Sequence, residues 1–169
     1  MLEEVKTLQQ MVSMNEFIIQ LAEEANELAM VAIDLKNTFK VPDSNYYNIL
    51  EDDLIEEIAD VKLCIDIIGY NDIDKSERFD LPNYLRYELL DLLAYHCCGL
   101  SKTAIKLRRT LIGKANPTPV SKEEAERKLI DAIYVVKLCV DALGSYWDSD
   151  EVSRIYKEKA IRCINRMTK

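Results

Sequence analysis

The chain has 169 residues, and 30 Asp and Glu against 22 Lys and Arg give it a formal net charge of −8. That length suits one domain, and an acidic surface repels nucleic-acid phosphates, so we expect no nucleic-acid partner. Apolar residues make up 49% and charged residues 31%, which excludes a disordered chain, and the 4 Gly and 4 Pro argue against a β-sandwich or a Gly-rich nucleotide loop.

Helical segments follow one another along the chain, and no stretch alternates strictly between apolar and polar residues. Gly69, Gly113 and Gly144 end three of them, and Ser121-x-x-Glu124 is typical of a capping box that opens another. The predicted fold is therefore all-α, a helical bundle. We expect four long helices and a shorter basic one, at about 16–40, 46–68, 82–112, 121–143 and 149–167.

Neither the start nor the body of the chain indicates a membrane segment. No apolar run reaches the roughly 18 residues that span a bilayer, and the first residues are charged, without an apolar signal core. We therefore expect a cytoplasmic protein with no membrane contact. The five cysteines contain no C-x2-C pair and are expected to be small buried side chains: Cys64, Cys97, Cys98, Cys139 and Cys163.

Two segments of the chain recur further along it. Residues 21–35 align with 93–107, where six of fifteen positions are identical. Residues 54–69 align with 129–144, where nine of sixteen are identical, including the run Val-Lys-Leu-Cys. Fixed collinear offsets of this kind indicate a duplicated unit. The competing interpretation is that amphipathic helices resemble one another, but it does not explain the shared lysine and terminal glycine.

The duplication predicts one all-α domain over residues 1–169, made of two tandem helical-hairpin copies. Copy one is residues 1–70 and carries the acidic motif described next. Copy two is residues 82–169; it is degenerate in that motif and ends in the basic helix. Each copy is expected to bury its apolar face against the other, which makes the chain an internal pseudo-dimer.

Copy one carries carboxylates at positions where copy two mostly lacks them. At about 100° per residue, Glu24 and Glu57 each fall at about −20°, inside the apolar stripe of their helix, and Glu27 and Asp60 fall at about −80°, on its margin. Antiparallel packing of the two helices would bring the four carboxylates together. The aligned positions in copy two hold different residues: Tyr95, His96, Gly99, Asp131, Ala132 and Val135.

A cluster of four carboxylates needs compensating charge. Burial of each costs several kcal/mol unless it is paired or binds a metal, and no Lys or Arg lies on the two apolar stripes. Mg²⁺ fits because it prefers oxygen ligands in octahedral geometry, whereas the single histidine, His96, lies in copy two and disfavours a di-iron site. The alternative is a set of solvated surface carboxylates, and it is strongest for Glu23 and Glu56, at about −120°.

Glu24-Ala-Asn-Glu27 followed by Glu57-Ile-Ala-Asp60 resembles the E-x-x-E and E-x-x-D motifs of the all-α nucleoside triphosphate pyrophosphohydrolases, which include MazG-like proteins and dimeric dUTPases. The surrounding LAEEANELAMVAI and LIEEIADVKLCIDII are also similar, and GKANPTPVSKEEAERKLI resembles a segment of phage-type MazG-like proteins. The resemblance covers most of the chain. It implies Mg²⁺-dependent hydrolysis of a (d)NTP to (d)NMP and pyrophosphate, with Mn²⁺ as a substitute ion and a nucleotide-pool or house-cleaning role.

The resemblance also implies roles for individual residues. The metal ligands would be Glu24, Glu27, Glu57 and Asp60. The base that activates the attacking water would be Glu23 or Glu56, and the sequence does not choose between them. The basic tail resembles the helix that holds the phosphates, which would assign that role to Lys159, Arg162, Asn165 and Arg166. The alternative for the tail is a helix end whose basic residues favour the macrodipole.

Family members are usually homodimers or tetramers, so the resemblance implies that copy two replaces a second subunit and allows a homodimer of pseudo-dimers. Loss of the acidic set in copy two leaves a second interpretation, a catalytically inactive MazG-like module that binds nucleotide or a protein partner. A third is a structural bundle with a solvated acidic cluster. Base and sugar preference cannot be read, because no spacing assigns Tyr46, Tyr47 or Trp147 to a base.

Overall fold

The computed structural model describes residues 2–39, 44–70, 84–146 and 149–168. Within these ranges the chain is an all-α bundle of six helices without a strand, which confirms the predicted fold class. None of the described helices is long and apolar enough to cross a lipid bilayer. The helices are α1 Glu3–Met11, α2 Met14–Thr38, α3 Ser44–Ile68, α4 Arg86–Leu111, α5 Lys122–Leu143 and α6 Ser149–Met167, and a 3-10 turn, Gly144–Tyr146, follows α5.

The helix ends follow the sequence signals, with one exception. Gly69 and Gly113 have φ of 82° and 69°, in the left-handed region where glycine ends a helix without a steric penalty. The Ser121 hydroxyl accepts the backbone N–H of Glu124 at 3.1 Å, which caps α5. Gly144 instead keeps a helical φ of −59°. The α-helix ends there as predicted, but the chain continues directly into the 3-10 turn.

Two predicted helix starts are displaced by local caps. The backbone of Leu85 is extended and its N–H donates to the Glu88 carboxylate at 2.8 Å, so α4 begins at Arg86; the predicted start at about residue 82 lies outside the described residues. The Glu16 carboxylate accepts the backbone N–H of Ser13 at 3.3 Å, so α2 begins at Met14, two residues earlier than predicted. Each start is fixed by a glutamate that satisfies a free backbone donor.

The core lies along the pair formed by α2 and α4, which share the most extensive contact in the bundle. Each helix buries leucines at seven-residue intervals, as packed helices do. α3 packs on α2, α5 packs on α4, and α6 packs on α3 and α1. The repeating leucines are fully buried: Leu21, Leu28, Leu35, Leu93, Leu100 and Leu107.

At one end of the bundle, Arg86 joins α3, α4 and the 3-10 turn. Its guanidinium pairs with the Glu51 carboxylate and donates to the Tyr47 hydroxyl. It also lies 5.7 Å from the centre of the Tyr47 ring and 5.1 Å from that of Tyr146. Tyr47 therefore has a packing role, Tyr46 is exposed, and Trp147 lies outside the described residues.

The cysteines depart in part from their predicted burial. Cys64, Cys97 and Cys139 are buried, and Cys163 is half-buried. Cys98 is exposed, so that part of the prediction is wrong. The reason is its helical phase, because the step of about 100° from the buried Cys97 turns the Cys98 side chain off the core face of α4.

Candidate metal centre

The centre lies where α2 packs against α3. Glu24 lies on α2 between the buried Leu21 and Leu28, and Glu57 and Asp60 lie almost one turn apart on α3. One carboxylate oxygen from each acidic residue lies within 4.8 Å of the others, and all three side chains are half-buried. The structure therefore brings together three of the four carboxylates that the sequence proposes as metal ligands.

Glu27 is the fourth proposed ligand, and it is exposed and outside the group of three. Its negative charge still raises the pKa of both Glu24 and Glu57, so it lies close enough to act on them. Glu27 adds to the negative potential of the cluster in this structure, and its role as a ligand stays a prediction.

Glu57 has the least favourable environment of the three carboxylates. Burial, together with the negative charges of Asp60 and Glu24, raises its pKa to about 7. Its Oε2 atom is buried and has no hydrogen-bond partner among the described residues. An unsatisfied buried carboxylate oxygen is costly, and a proton or a metal ion would relieve that cost.

The other two carboxylates are partly compensated. Burial raises the pKa of Glu24, and the hydrogen bond that Gln20 donates to it opposes this effect. Burial also raises the pKa of Asp60, and the hydrogen bond and charge of Lys159 oppose it. Lys159 is thus the cation that opposes the negative charge of all three carboxylates, which leaves the cluster with a net excess of negative charge.

The helix α6 places a cation beside these carboxylates. The Lys159 ammonium donates to Oδ2 of Asp60 and lies 3.4 Å from Oε2 of Glu56. The Lys159 side chain is only 13% exposed and that of Asp60 only 22%, so this is not a solvated surface pair. The two apolar stripes of α2 and α3 indeed carry no lysine, but a third helix packed on α3 supplies one.

A cavity of about 770 Å³ opens beside the cluster, and its lining joins α1, α2, α3 and α6. Glu16, Glu24 and Asp60 contribute its acidic part, and α6 contributes three basic side chains, Lys159, Arg162 and Arg166. A further part of the wall is apolar and is formed by Met11, Val12, Phe17, Leu63 and Met167. One cavity therefore presents acidic, basic and apolar surfaces to the same ligand.

The remaining predicted site residues occupy different places. Asn165 is exposed and is not among the described residues that line the cavity. Glu56 is exposed on α3 and shares Lys159 with Asp60. Glu23 is also exposed, and its charge acts on the buried Cys64 thiol, whose pKa is raised chiefly by burial. Of the two candidate bases, Glu56 has a direct link to the cluster.

Sequence reasoning missed Gln20 and the apolar wall. Gln20 lies four residues before Glu24, a spacing at which two helical side chains meet, so its hydrogen bond could have been proposed from the sequence. Met11 and Val12 reach the cavity because α1 folds back onto α6 and α3. No pattern in the sequence indicates that contact.

The three carboxylates fit a hard divalent cation. All donors are oxygen atoms, as Mg²⁺ requires, and an octahedral shell at about 2.1 Å places its ligand atoms about 3 to 4 Å apart. The observed spread of up to 4.8 Å reaches that range with small side-chain rotations. The unpaired Glu57 oxygen is consistent with this chemistry, because ion binding would satisfy it.

In comparisons with known proteins, no family model, no curated sequence and no solved structure matches the chain. The interpretation of the site therefore depends on its own residues, their geometry and the motifs that they form.

Proposed function

We propose that the chain is a Mg²⁺-dependent nucleoside triphosphate pyrophosphohydrolase that converts a (d)NTP and water into a (d)NMP and pyrophosphate. The supporting observation is the cavity that carries Glu24 and Asp60 on one part of its wall and Arg162 and Arg166 on another. A polyphosphate that binds together with a divalent cation needs acidic side chains for the cation and basic side chains for the phosphates. A role in nucleotide-pool control or house-cleaning follows from such a reaction.

The chain's own residues divide the work of this reaction. Glu24, Glu57 and Asp60 would hold Mg²⁺, or Mn²⁺ as a substitute. The bound ion would neutralise charge on the phosphate oxygens and help to orient them. Arg162 and Arg166 lie one helical turn apart, and each guanidinium can bind a phosphate through two parallel hydrogen bonds.

The base that accepts the proton of the attacking water is assigned to Glu56. It lies on the same helix as Glu57 and Asp60, and it is linked to the cluster through Lys159. Its exposure leaves it accessible to water. Glu23 remains the competing candidate, on α2 next to Glu24.

The dimensions and lining of the cavity suit a nucleotide. Its volume of about 770 Å³ lies within the range of about 300–1,000 Å³ that is usual for small-molecule sites. The apolar wall formed by Phe17, Leu63 and Met11 gives a sugar and base a surface to contact, away from the charged groups. No polar side chain in this wall selects a particular base.

The helix arrangement supports the proposed tandem duplication. The two hairpins α2–α3 and α4–α5 pack through their first helices, α2 and α4, and each second helix packs on the first helix of its own hairpin. The buried leucines of α2 and α4 occupy aligned positions of the two copies. We propose on this basis that copy two supplies the packing surface of a second subunit, and that a homodimer of pseudo-dimers is the larger assembly.

The experiment is a panel of ribo- and deoxyribonucleoside triphosphates incubated with the protein and Mg²⁺. Pyrophosphate and orthophosphate are measured separately. We expect monophosphate and pyrophosphate in equal amounts, and none in EDTA. Release of orthophosphate would indicate a different reaction, and no turnover of any triphosphate would reject the enzymatic proposal.

A second candidate function is a catalytically inactive MazG-like helical module that binds nucleotide or a protein partner. The observation that favours it is the replacement of the acidic set in copy two, where His96 and Ala132 stand at the positions of Glu24 and Glu57. This candidate predicts saturable nucleotide binding at the same cavity without pyrophosphate release.

A further inference from the structure

The ion pair between Lys159 and Asp60 lies inside the proposed metal centre. The Lys159 ammonium donates to Oδ2 of Asp60, which belongs to the carboxylate group of three. The same ammonium lies 3.4 Å from Oε2 of Glu56. With 13% of its side chain exposed, Lys159 is held by two acidic residues of α3 and by the packing of α6 on that helix.

Lys159 and a divalent ion would compete for the charge of Asp60. The Asp60 carboxylate has two oxygen atoms, but an ion bound to either one would lie close to an ammonium that stays on Oδ2, and like charges that close repel strongly in a half-buried site. Lysine suits the exchange, because its ammonium is a compact charge on a flexible four-carbon stem. The cavity beside Asp60 gives the displaced ammonium room to move.

We propose that Lys159 is a built-in counter-ion of the metal-free site, which Mg²⁺ must displace from Asp60 before the site is loaded. This inference rests on the proposed function, since it assigns an order of events at the same centre. Lys159 lies on α6 three residues before Arg162 and seven before Arg166, so the displaced ammonium stays on the basic wall of the cavity. Lys159 is therefore a positioning residue that couples metal binding to the charge of the phosphate-facing wall.

The first test measures Mn²⁺ binding without nucleotide, by the loss of the free-ion signal in electron paramagnetic resonance. The wild type is compared with Lys159→Met, which keeps the stem and removes the charge, and with Lys157→Met, an exposed lysine two residues away on α6. Removing the competing cation should lower the Mn²⁺ Kd about tenfold in Lys159→Met. Lys157→Met should match the wild type.

The second test uses the wild type and does not depend on the folding of a variant. A short pulse of acetic anhydride, followed by mass spectrometry, measures how accessible each lysine is. Lys159 should be protected in EDTA and several-fold more reactive in saturating Mg²⁺, while the labelling of Lys157 stays constant. Persistent protection of Lys159 in saturating Mg²⁺ would overturn the proposal.

The outcomes separate this inference from the proposed function. If Mn²⁺ binds the wild type and Lys159→Met with equal Kd, the counter-ion role is wrong and the metal site stands. If Mn²⁺ binds more weakly to Lys159→Met, the lysine supports the site instead of competing for it, and the inference is again rejected. If neither protein binds Mn²⁺, the metal centre and the proposed function are rejected together with it.

Discussion

Glu24 on α2 and Glu57 on α3 present carboxylate oxygens within 4.8 Å of each other in a half-buried position between two packed helices. Burial raises the pKa of both groups, and the negative charge of Glu24 also raises the pKa of Glu57. The helices α4 and α5 also pack as a hairpin, with His96 and Ala132 at the aligned positions. A hairpin of this kind therefore does not need these carboxylates, and a bound cation would relieve the cost of their burial.

The free energy of unfolding should depend on pH because the Glu57 carboxylate titrates at a different pH in the folded and unfolded protein. Its pKa is about 7 in the folded protein against a usual value of 4.5, so folding favours its protonated form. This contribution is fully present below pH 4.5 and is lost as the pH rises through about 7. In EDTA, the free energy of unfolding should fall by about 1 kcal/mol over this range, after allowance for solvent screening.

The control for that profile is Glu57→Gln, which cannot titrate. Urea unfolding at pH 5 and pH 7.5 gives the change in the free energy of unfolding for each protein. The difference between the two profiles isolates Glu57 from other groups, including His96, whose pKa burial lowers. Parallel profiles for the wild type and Glu57→Gln would contradict the assigned pKa.

Mg²⁺ should stabilise the folded protein, because the unfolded chain does not hold the three carboxylates together. At a concentration 100 times the Kd, the stabilisation is about 2.7 kcal/mol, which corresponds to a rise in Tm of about 5–10 °C for a chain of this size. The rise should be much smaller in Glu57→Gln. Thermal unfolding at constant ionic strength measures it, and an equal rise in both proteins would place the ion elsewhere.

Asp60→Asn should lower Mg²⁺-dependent pyrophosphate release by about 100-fold or more, as the loss of a group that stabilises transition-state charge does. Its helical content, measured by circular dichroism, should stay near that of the wild type. The matched control is Asp131→Asn, which changes an exposed aspartate of α5. If Asp60→Asn were as active as Asp131→Asn, Asp60 would not be part of the site.

The basic wall should act mainly on substrate affinity. Arg162 lines the cavity, so Arg162→Ala should raise the KM for a nucleoside triphosphate about tenfold, as the loss of one charge-assisted phosphate contact does. Asn165 lies outside the lining, so Asn165→Ala should leave KM near the wild-type value. Steady-state kinetics of the two variants measure both, and a larger effect at Asn165 would indicate a different position of the phosphates.

The two candidate bases should separate by kcat. Glu56 shares Lys159 with Asp60, so Glu56→Gln should lower kcat at least about tenfold more than Glu23→Gln, in line with the usual contribution of a general base. Single-turnover rates at saturating Mg²⁺ measure the difference. A larger loss of kcat in Glu23→Gln would indicate that Glu23, on α2, is the general base.

Local patterns predicted the part of this structure that depends on one helix at a time. The helical phase of Glu24 and Glu57 relative to Leu21 and Leu54 gave their partial burial, and Gly69 gave the end of α3. The phase of Glu27 left it on the margin of the stripe, and it is exposed.

What depends on the packing of distant segments could not be predicted. Lys159 pairs with Asp60, which lies 99 positions away in the chain. No feature of the α6 sequence predicts that this helix packs against α3. The cavity likewise depends on α1 folding back to place Met11 beside Phe17. Such contacts follow from the summed burial of several helices, which a single amphipathic pattern does not record.

The central claim is that three carboxylates hold a divalent ion between α2 and α3. The most direct measurement of it is anomalous scattering from crystals of the protein grown with Mn²⁺. The account predicts an anomalous peak bound by carboxylate oxygens of Glu24, Glu57 and Asp60, with Lys159 moved away from Asp60. Fully resolved carboxylates with no peak between them at saturating Mn²⁺, and Lys159 still paired with Asp60, would contradict it.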